Sequence, residues 1–136
     1  MKMWALCATS LAALSLLPGC FFVEDDDERV RAPIGTLTVQ WTIDGTANPL
    51  DCVDFGVDRL ELSIYTPDGR LVDEVEPFCE SFAVSVDLLD GLYTADVTLV
   101  DSFDNAATFT ETLESIDIIA GTDLAIDVDF PIDSFL

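Results

Sequence analysis

From Gly35 onward, apolar and polar residues alternate along the chain, and this period of two restricts the fold more than any other feature of the sequence. A period of two places successive side chains on opposite faces of a β-strand, so each run has one apolar face. No long segment has the period of an amphipathic helix. The five strongest runs occupy 37–43, 59–65, 82–88, 93–99 and 124–130.

Short turn-forming sequences separate the runs. Thr66-Pro67-Asp68-Gly69 has proline at the second turn position and glycine at the fourth, which is typical of a type I hairpin. The sequence therefore predicts an all-β chain forming a single antiparallel β-sandwich over residues 35–131, with about seven to eight strands. Weaker strand patterns fit 70–76, 106–112 and 115–119. The inward positions predicted for the core include Trp41, Leu62, Val84, Val97 and Val128.

A second turn, Asp90-Gly91, connects two of the strongest runs. Together with the next two residues it reads Asp90-Gly91-Leu92-Tyr93, which resembles the D-G-x-Y start of a late strand in immunoglobulin-like and transthyretin-like bacterial domains. The motif covers four residues, and the strand pattern is the rest of the resemblance. It implies a sandwich of one of these two kinds, in which the hydroxyl of Tyr93 tethers a corner of the chain.

The N-terminus reads as an export signal. Lys2 precedes an apolar run from Met3 to Leu17, which is too short for a membrane span but fits the apolar region of a secretory signal. The run ends in Leu17-Pro18-Gly19-Cys20, which resembles the lipobox of bacterial lipoproteins. The resemblance implies cleavage between Gly19 and Cys20 and covalent lipid on Cys20, whose acyl chains would anchor the protein to a membrane. An ordinary secretory signal, with Cys20 an early cysteine of the mature chain, is the alternative.

Residues 20–34 are predicted to be the lipidated cysteine and a disordered acidic tether, between a signal peptide at 1–19 and a sandwich domain at 35–136. Five consecutive acids, Glu24 to Glu28, repel one another and stay solvated. In enteric lipoproteins an aspartate after the lipidated cysteine retains the protein at the inner membrane, and Phe21 stands at that position here. The resemblance therefore favours the outer membrane of a bacterial envelope.

The charge balance excludes several classes of function. The chain has 27 acidic residues, 5 basic residues and no histidine, for a net charge of −22. Such a chain has nothing with which to neutralise nucleic acid. Without histidine it lacks the commonest general base, and no phosphate-binding loop is present, so we expect no enzyme. The acidic residues are spread along the whole chain, and this distribution favours a protein from a saline habitat over a protein with a cation-binding surface.

Two cysteines remain beyond Cys20, and we predict that Cys52 and Cys79 form a disulfide. Export leads to an oxidising compartment, where two cysteines of a small domain usually pair. If consecutive strands reverse direction, the loops at 44–56 and 76–80 lie at the same end of the sandwich. Two cysteines without histidine make a poor metal site, and they lack the C-x-x-C spacing of a redox pair.

The same reversal of strands places the loop at 101–105 at that end. Oxygen ligands from the three loops could then hold calcium, although no EF-hand spacing is present and solvated acidic loops are the favoured interpretation. We therefore expect no cofactor and keep calcium as the less favoured alternative. Its candidate ligands are Asp44, Asp51, Asp54, Glu76, Glu80, Asp101, Asp104 and Asn105.

The function predicted from these features is that of a membrane-anchored, non-catalytic binding or adhesion module for an unknown protein or carbohydrate partner. Aromatic side chains in the three loops, Phe55, Phe78 and Phe103, are candidates for its contacts, although each could also plug the end of the core. The alternative is a structural envelope lipoprotein with no specific ligand. A carboxylate hydrolase is less favoured, because chance pairs of acids are expected among so many.

Overall fold

The computed structural model describes residues 32–136, so the predicted signal peptide, Cys20 and nearly all of the tether lie outside the described residues. This part of the chain forms seven strands and one short helix. The strands are β1 (Ile34–Ile43), β2 (Arg59–Tyr65), β3 (Leu71–Val75), β4 (Ala83–Leu89), β5 (Gly91–Val100), β6 (Glu111–Ile118) and β7 (Asp123–Phe130). The helix α1 spans Pro49–Asp54, and single 3₁₀ turns lie at Cys79–Ser81 and Ile132–Ser134.

Two sheets pack face to face, with strand orders β4-β1-β7 and β3-β2-β5-β6, and this confirms the predicted all-β sandwich. Four of the strand pairs are antiparallel, but β1 and β7 are parallel, so the prediction of a purely antiparallel sandwich was wrong for that pair. Each strand reverses the direction of the one before it, and odd-numbered strands therefore all run the same way. β1 and β7 are the one pair of neighbouring strands in which both strands are odd-numbered, and they are therefore parallel.

The strand order distinguishes between the immunoglobulin-like and the transthyretin-like resemblance. An immunoglobulin constant-type sandwich places its first, second, fifth and fourth strands in one sheet and its third, sixth and seventh in the other. Here the first strand lies between the fourth and the seventh. The chain is thus not arranged like an immunoglobulin domain, and the transthyretin-like alternative stays open. The predicted tyrosine tether is present, because Tyr93 Oη donates a hydrogen bond of 2.7 Å to the carbonyl of Leu89 across the β4–β5 corner.

The core follows the predicted alternation. Trp41, Leu62, Val97 and Val128 are buried as expected. Val84 packs against the core but is only half-buried, since it lies on β4, an edge strand of the three-stranded sheet. The indole nitrogen of Trp41 donates a hydrogen bond of 3.1 Å to the carbonyl of Cys79, which satisfies the one polar group of this side chain within the core.

The chain between β5 and β6 differs from the prediction. Residues 106–112 do not form a strand of their own; Ala106 and Thr108 make isolated bridges to Val100 and Phe135. The buried hydroxyl of Thr108 accepts a hydrogen bond of 3.1 Å from the amide of Leu99. This side chain thus replaces the backbone carbonyl that a neighbouring strand would offer to that amide. A single strand, β6, then covers the last two residues of the first weaker pattern and most of the second. The count is therefore seven.

Candidate functional site

Three loops and the last six residues meet at one end of the sandwich, which we call the far end: 44–58, 76–82, 101–110 and 131–136. The strands β1, β3, β5 and β7 all finish there. Backbone hydrogen bonds join the loops, from Cys79 to Asp58 (3.0 Å) and from Asp58 to Val100 (2.9 Å). The expectation that these loops share one end is confirmed. The opposite end, where β1 begins, is called the near end.

A disulfide between Cys52 and Cys79 ties two of these loops together, as predicted. Cys52 lies on α1 and Cys79 opens a 3₁₀ turn; both side chains are buried, and their Cα atoms are 6.1 Å apart. The helix forms because Asn48 caps it, accepting a hydrogen bond of 3.1 Å from the amide of Leu50, and Pro49 occupies the first turn. The long loop after β1 is thus held by a capped helix and a covalent bond.

Aromatic packing closes the core beneath these loops. The ring of Phe55 stacks on that of Phe135 with centroids 4.4 Å apart. The segment that carries Phe135 is held by hydrogen bonds from Phe109 to Ser134 (2.9 Å) and from Leu136 to Ala107 (3.0 Å). Phe55 therefore closes this end of the core, which is the structural alternative that the sequence left open for it.

The other two aromatic candidates face solvent. Phe78 is 62% exposed and Phe103 is 81% exposed, although large apolar side chains usually find burial in a small domain. Two further exposed side chains were missed by the sequence reasoning: Leu50 at 65% and Val53 at 75%. These two lie three residues apart on α1 and so share one face of it. The Asn48-Pro49 pair was the available signal for this helix.

A shallow depression of about 220 Å³ lies between α1 and the loop after β5. Val53, Val57 and Ser102 contribute to its lining, and Phe103 follows directly in the chain. Its volume is below that of the clefts of about 300 Å³ or more that usually hold small ligands. The depression is thus better suited to receive one side chain of a partner than a whole small molecule.

Acidic residues of the far end gather around Arg59. Its guanidinium contacts Asp58 at 2.7 Å and Glu76 at 3.2 Å, and it also contacts Asp104. The hydrogen bond that Arg59 donates to Asp58, more than any other contact, raises the pKa of Arg59. Since these three acids lie on different segments, the arginine holds the loops 76–82 and 101–110 against the start of β2.

The carboxyl of Glu61 lies beside this cluster, and its pKa is raised. Partial burial is the main cause, and the nearby charges of Glu74, Glu76 and Asp104 add to it. A carboxyl that is easier to protonate when folded makes the fold less stable as the pH rises through its pKa.

The Glu61→Gln variant should therefore be more stable to urea than the wild type near pH 7, and the gain should vanish in acid, where both side chains are neutral. Urea unfolding followed by far-UV circular dichroism at several pH values measures this. Glu111→Gln, an exposed position on β6 with the same change in charge, is the matched control for relief of general repulsion. An equal gain in the two variants, or a gain at Glu61 that does not depend on pH, would contradict the expectation.

The carboxylates considered for calcium are mostly engaged elsewhere. Glu76 and Asp104 contact Arg59, and Asp51 accepts a hydrogen bond of 2.8 Å from Thr46. One oxygen of Asp101 accepts from the amides of Phe103 (2.8 Å) and Asn105 (2.9 Å), and these bonds lower the pKa of Asp101. The remaining acids of this group, Asp44, Asp54 and Glu80, are exposed. Within residues 32–136 no three acidic, histidine or cysteine side chains converge as metal ligands would.

No protein-family model matches this chain, and no curated protein matches it. Among solved structures it is similar to the Bacillus anthracis TIE protein, with 19% identity and a TM-score of 0.47. The match covers 72% of this chain and 17% of that protein, so the chain spans about a sixth of its length. Among residues 32–136, no helix is both long enough and apolar enough to cross a membrane.

Proposed function

We propose that this chain is a bacterial envelope lipoprotein, anchored through lipid on Cys20, that acts as a non-catalytic binding or adhesion module. The observation that carries the binding role is a set of four of the exposed apolar side chains at the far end, which we call the apolar group: Leu50, Val53, Phe78 and Phe103. Large apolar side chains left exposed on the loops of a small domain offer contact area to a partner.

The rigidity of these loops supports the proposal. The Cys52–Cys79 disulfide and the Arg59 contacts hold the apolar group in place before any partner arrives. A surface that is already ordered loses less conformational entropy when it binds, and this favours affinity. Loops presented by a rigid scaffold are also where binding residues are usually found.

The direction of β1 supports an outward orientation of this surface. The tether precedes β1, and β1 runs from the near end to the far end. A lipid on Cys20 would therefore leave the near end next to the membrane and the apolar group facing away from it. The favoured location is the outer membrane, because Phe21 stands where enteric lipoproteins retained at the inner membrane have an aspartate.

Lipidation has a direct test. Mass spectrometry of the membrane fraction is expected to find a mature chain that begins at an acylated Cys20. The Cys20→Ser variant should lose membrane attachment, whereas Cys7→Ser, inside the predicted signal peptide, should keep it and serves as the control. A soluble mature chain starting elsewhere would show that the signal is an ordinary secretory one.

Binding is tested in the native envelope. Crosslinking of the lipidated protein should capture a protein or carbohydrate partner, and substitutions of the exposed residues within 45–55 should release it. Matched substitutions at the exposed near-end residues Leu92 and Ile119 should leave it bound. If every captured partner survives the substitutions in 45–55, the structural envelope role without a specific ligand is the better interpretation.

A further inference from the structure

We infer that the partner of the far end is a protein surface that carries positive charge together with apolar side chains. The inference rests on the function proposed above and adds the chemistry of the partner. It is carried by two features of the same end of the sandwich: an apolar group that is not used by the core, and carboxylates on the same loops that outnumber Arg59, the one arginine that pairs with them among residues 32–136.

The apolar group is available to a partner because other residues close the core. Phe55 and Phe135 stack across the end of the sandwich, so Phe78 and Phe103 are not needed as plugs. Val53 and Ser102 line the depression between α1 and the loop after β5, which brings the helix and Phe103 to neighbouring positions. Phe78 forms an isolated β-bridge with Arg59, the residue that follows Asp58 in the chain. Of the apolar group, Val53 lines the hollow itself, and Phe103 follows the lining residue Ser102 in the chain.

The charges around this hollow are almost all negative. Eight carboxylates lie on the loops that carry the apolar group, namely Asp44, Asp51, Asp54, Asp58, Glu76, Glu80, Asp101 and Asp104. Two arginines lie in strands and turns of the described residues: Arg59 is already held by three of these acids, and Arg70 sits at the near end in the β2–β3 turn. A positively charged surface complements such a ring of carboxylates, which would steer the encounter and select the partner.

The same charges argue against other occupants. A second copy of this chain would bring equal negative surfaces together, at a net charge of −22 for each molecule. Anionic lipid and nucleic acid would be repelled for the same reason. A neutral carbohydrate would leave the carboxylates without a complement. A basic protein surface with apolar side chains uses both features of the far end.

The test uses a defined probe, a fluorescent amphipathic peptide of leucine and lysine, with a leucine and glutamate peptide of the same pattern as its control. The lysine peptide should bind the lipidated protein in detergent, and added salt should weaken the binding because the attraction is between charges. The double variant Phe78→Ser, Phe103→Ser should bind about tenfold more weakly. The matched near-end variant Leu92→Ser, Ile119→Ser should bind like the wild type.

Absence of binding by the lysine peptide, equal binding of both peptides, or equal losses in the two double variants would overturn the inference. A photo-crosslinker at position 103, used in the native envelope, tests the inferred partner chemistry separately from the proposed binding function. A partner whose crosslinked segment is basic and apolar supports the inference. A captured partner whose contact segment is acidic or uncharged overturns the assigned chemistry and leaves the binding role intact. If a partner is captured only by crosslinkers placed at the near end, both the inferred chemistry and the proposed binding role of the far end are overturned.

Discussion

Replacing Trp41 by alanine is expected to lower the free energy of unfolding by about 3–5 kcal/mol, the usual cost of emptying a large aromatic site in a core. Trp41 is 1% exposed, lies on the central strand of its sheet and packs beside Phe82 with ring centroids 6.3 Å apart. Its removal also deprives the Cys79 carbonyl of a hydrogen-bond donor in the interior. Urea unfolding followed by far-UV circular dichroism measures the loss.

Because the alanine variant could fail to fold, Trp41→Phe provides a graded test. Phenylalanine fills most of the volume but cannot donate to Cys79, so we expect a loss of about 1–3 kcal/mol, the cost of leaving a buried acceptor unpaired together with a small cavity. Val53→Ala, at a position 75% exposed, should change stability little and is the control for substitution at the far end. A phenylalanine variant as stable as the wild type would show that the indole hydrogen bond contributes nothing.

Removing the disulfide is the second change with a large expected effect. The Cys52→Ala, Cys79→Ala variant should lose about 3–4 kcal/mol of unfolding free energy, since the bond spans 27 residues and restricts the unfolded chain. Replacing both cysteines avoids leaving a reactive thiol. Urea unfolding with and without reductant measures the effect: the wild type should lose stability on reduction, while the double variant should not respond.

Hydrogen exchange locates where the stability is lost. Amides of the loop 44–58 should exchange faster in the double variant than those of β1, because the loop has lost its covalent support while the sheet has not. Wild-type and variant proteins of equal stability would contradict the assigned role of the bond. A uniform increase in exchange would mean that the bond stabilises the whole fold without ordering the loop.

The sequence predicted well those features that a local pattern controls. Alternation within a single strand identified Leu62, Val97 and Val128 as core residues, because the face of a strand is decided by its own residues. The pairing of Cys52 with Cys79 followed from the oxidising compartment that export implies and from strand direction, which needs only a count of reversals. The hydroxyl bond of Tyr93 followed from a short motif within one corner.

Features that depend on distant segments were not predictable in the same way. The alternation in β1 and β7 says which face of each strand is buried but not that the two strands pair with each other. The six residues of α1 are too few to show a helical period, so the exposure of Leu50 and Val53 was missed. The carboxylates around Arg59 come from positions 17 and 45 residues away, as well as from the adjacent Asp58.

The central position of β1 has a mechanical consequence. A partner that grips the loop after β1 and a membrane that holds the chain before it would pull on the two ends of this one strand. β1 is hydrogen-bonded along both sides, to β4 and to β7, and therefore has no free edge from which to be peeled. Tension along it loads the bonds of both ladders together, in shear. A load between a lipid anchor on Cys20 and the far end would therefore meet resistance from the whole three-stranded sheet at once.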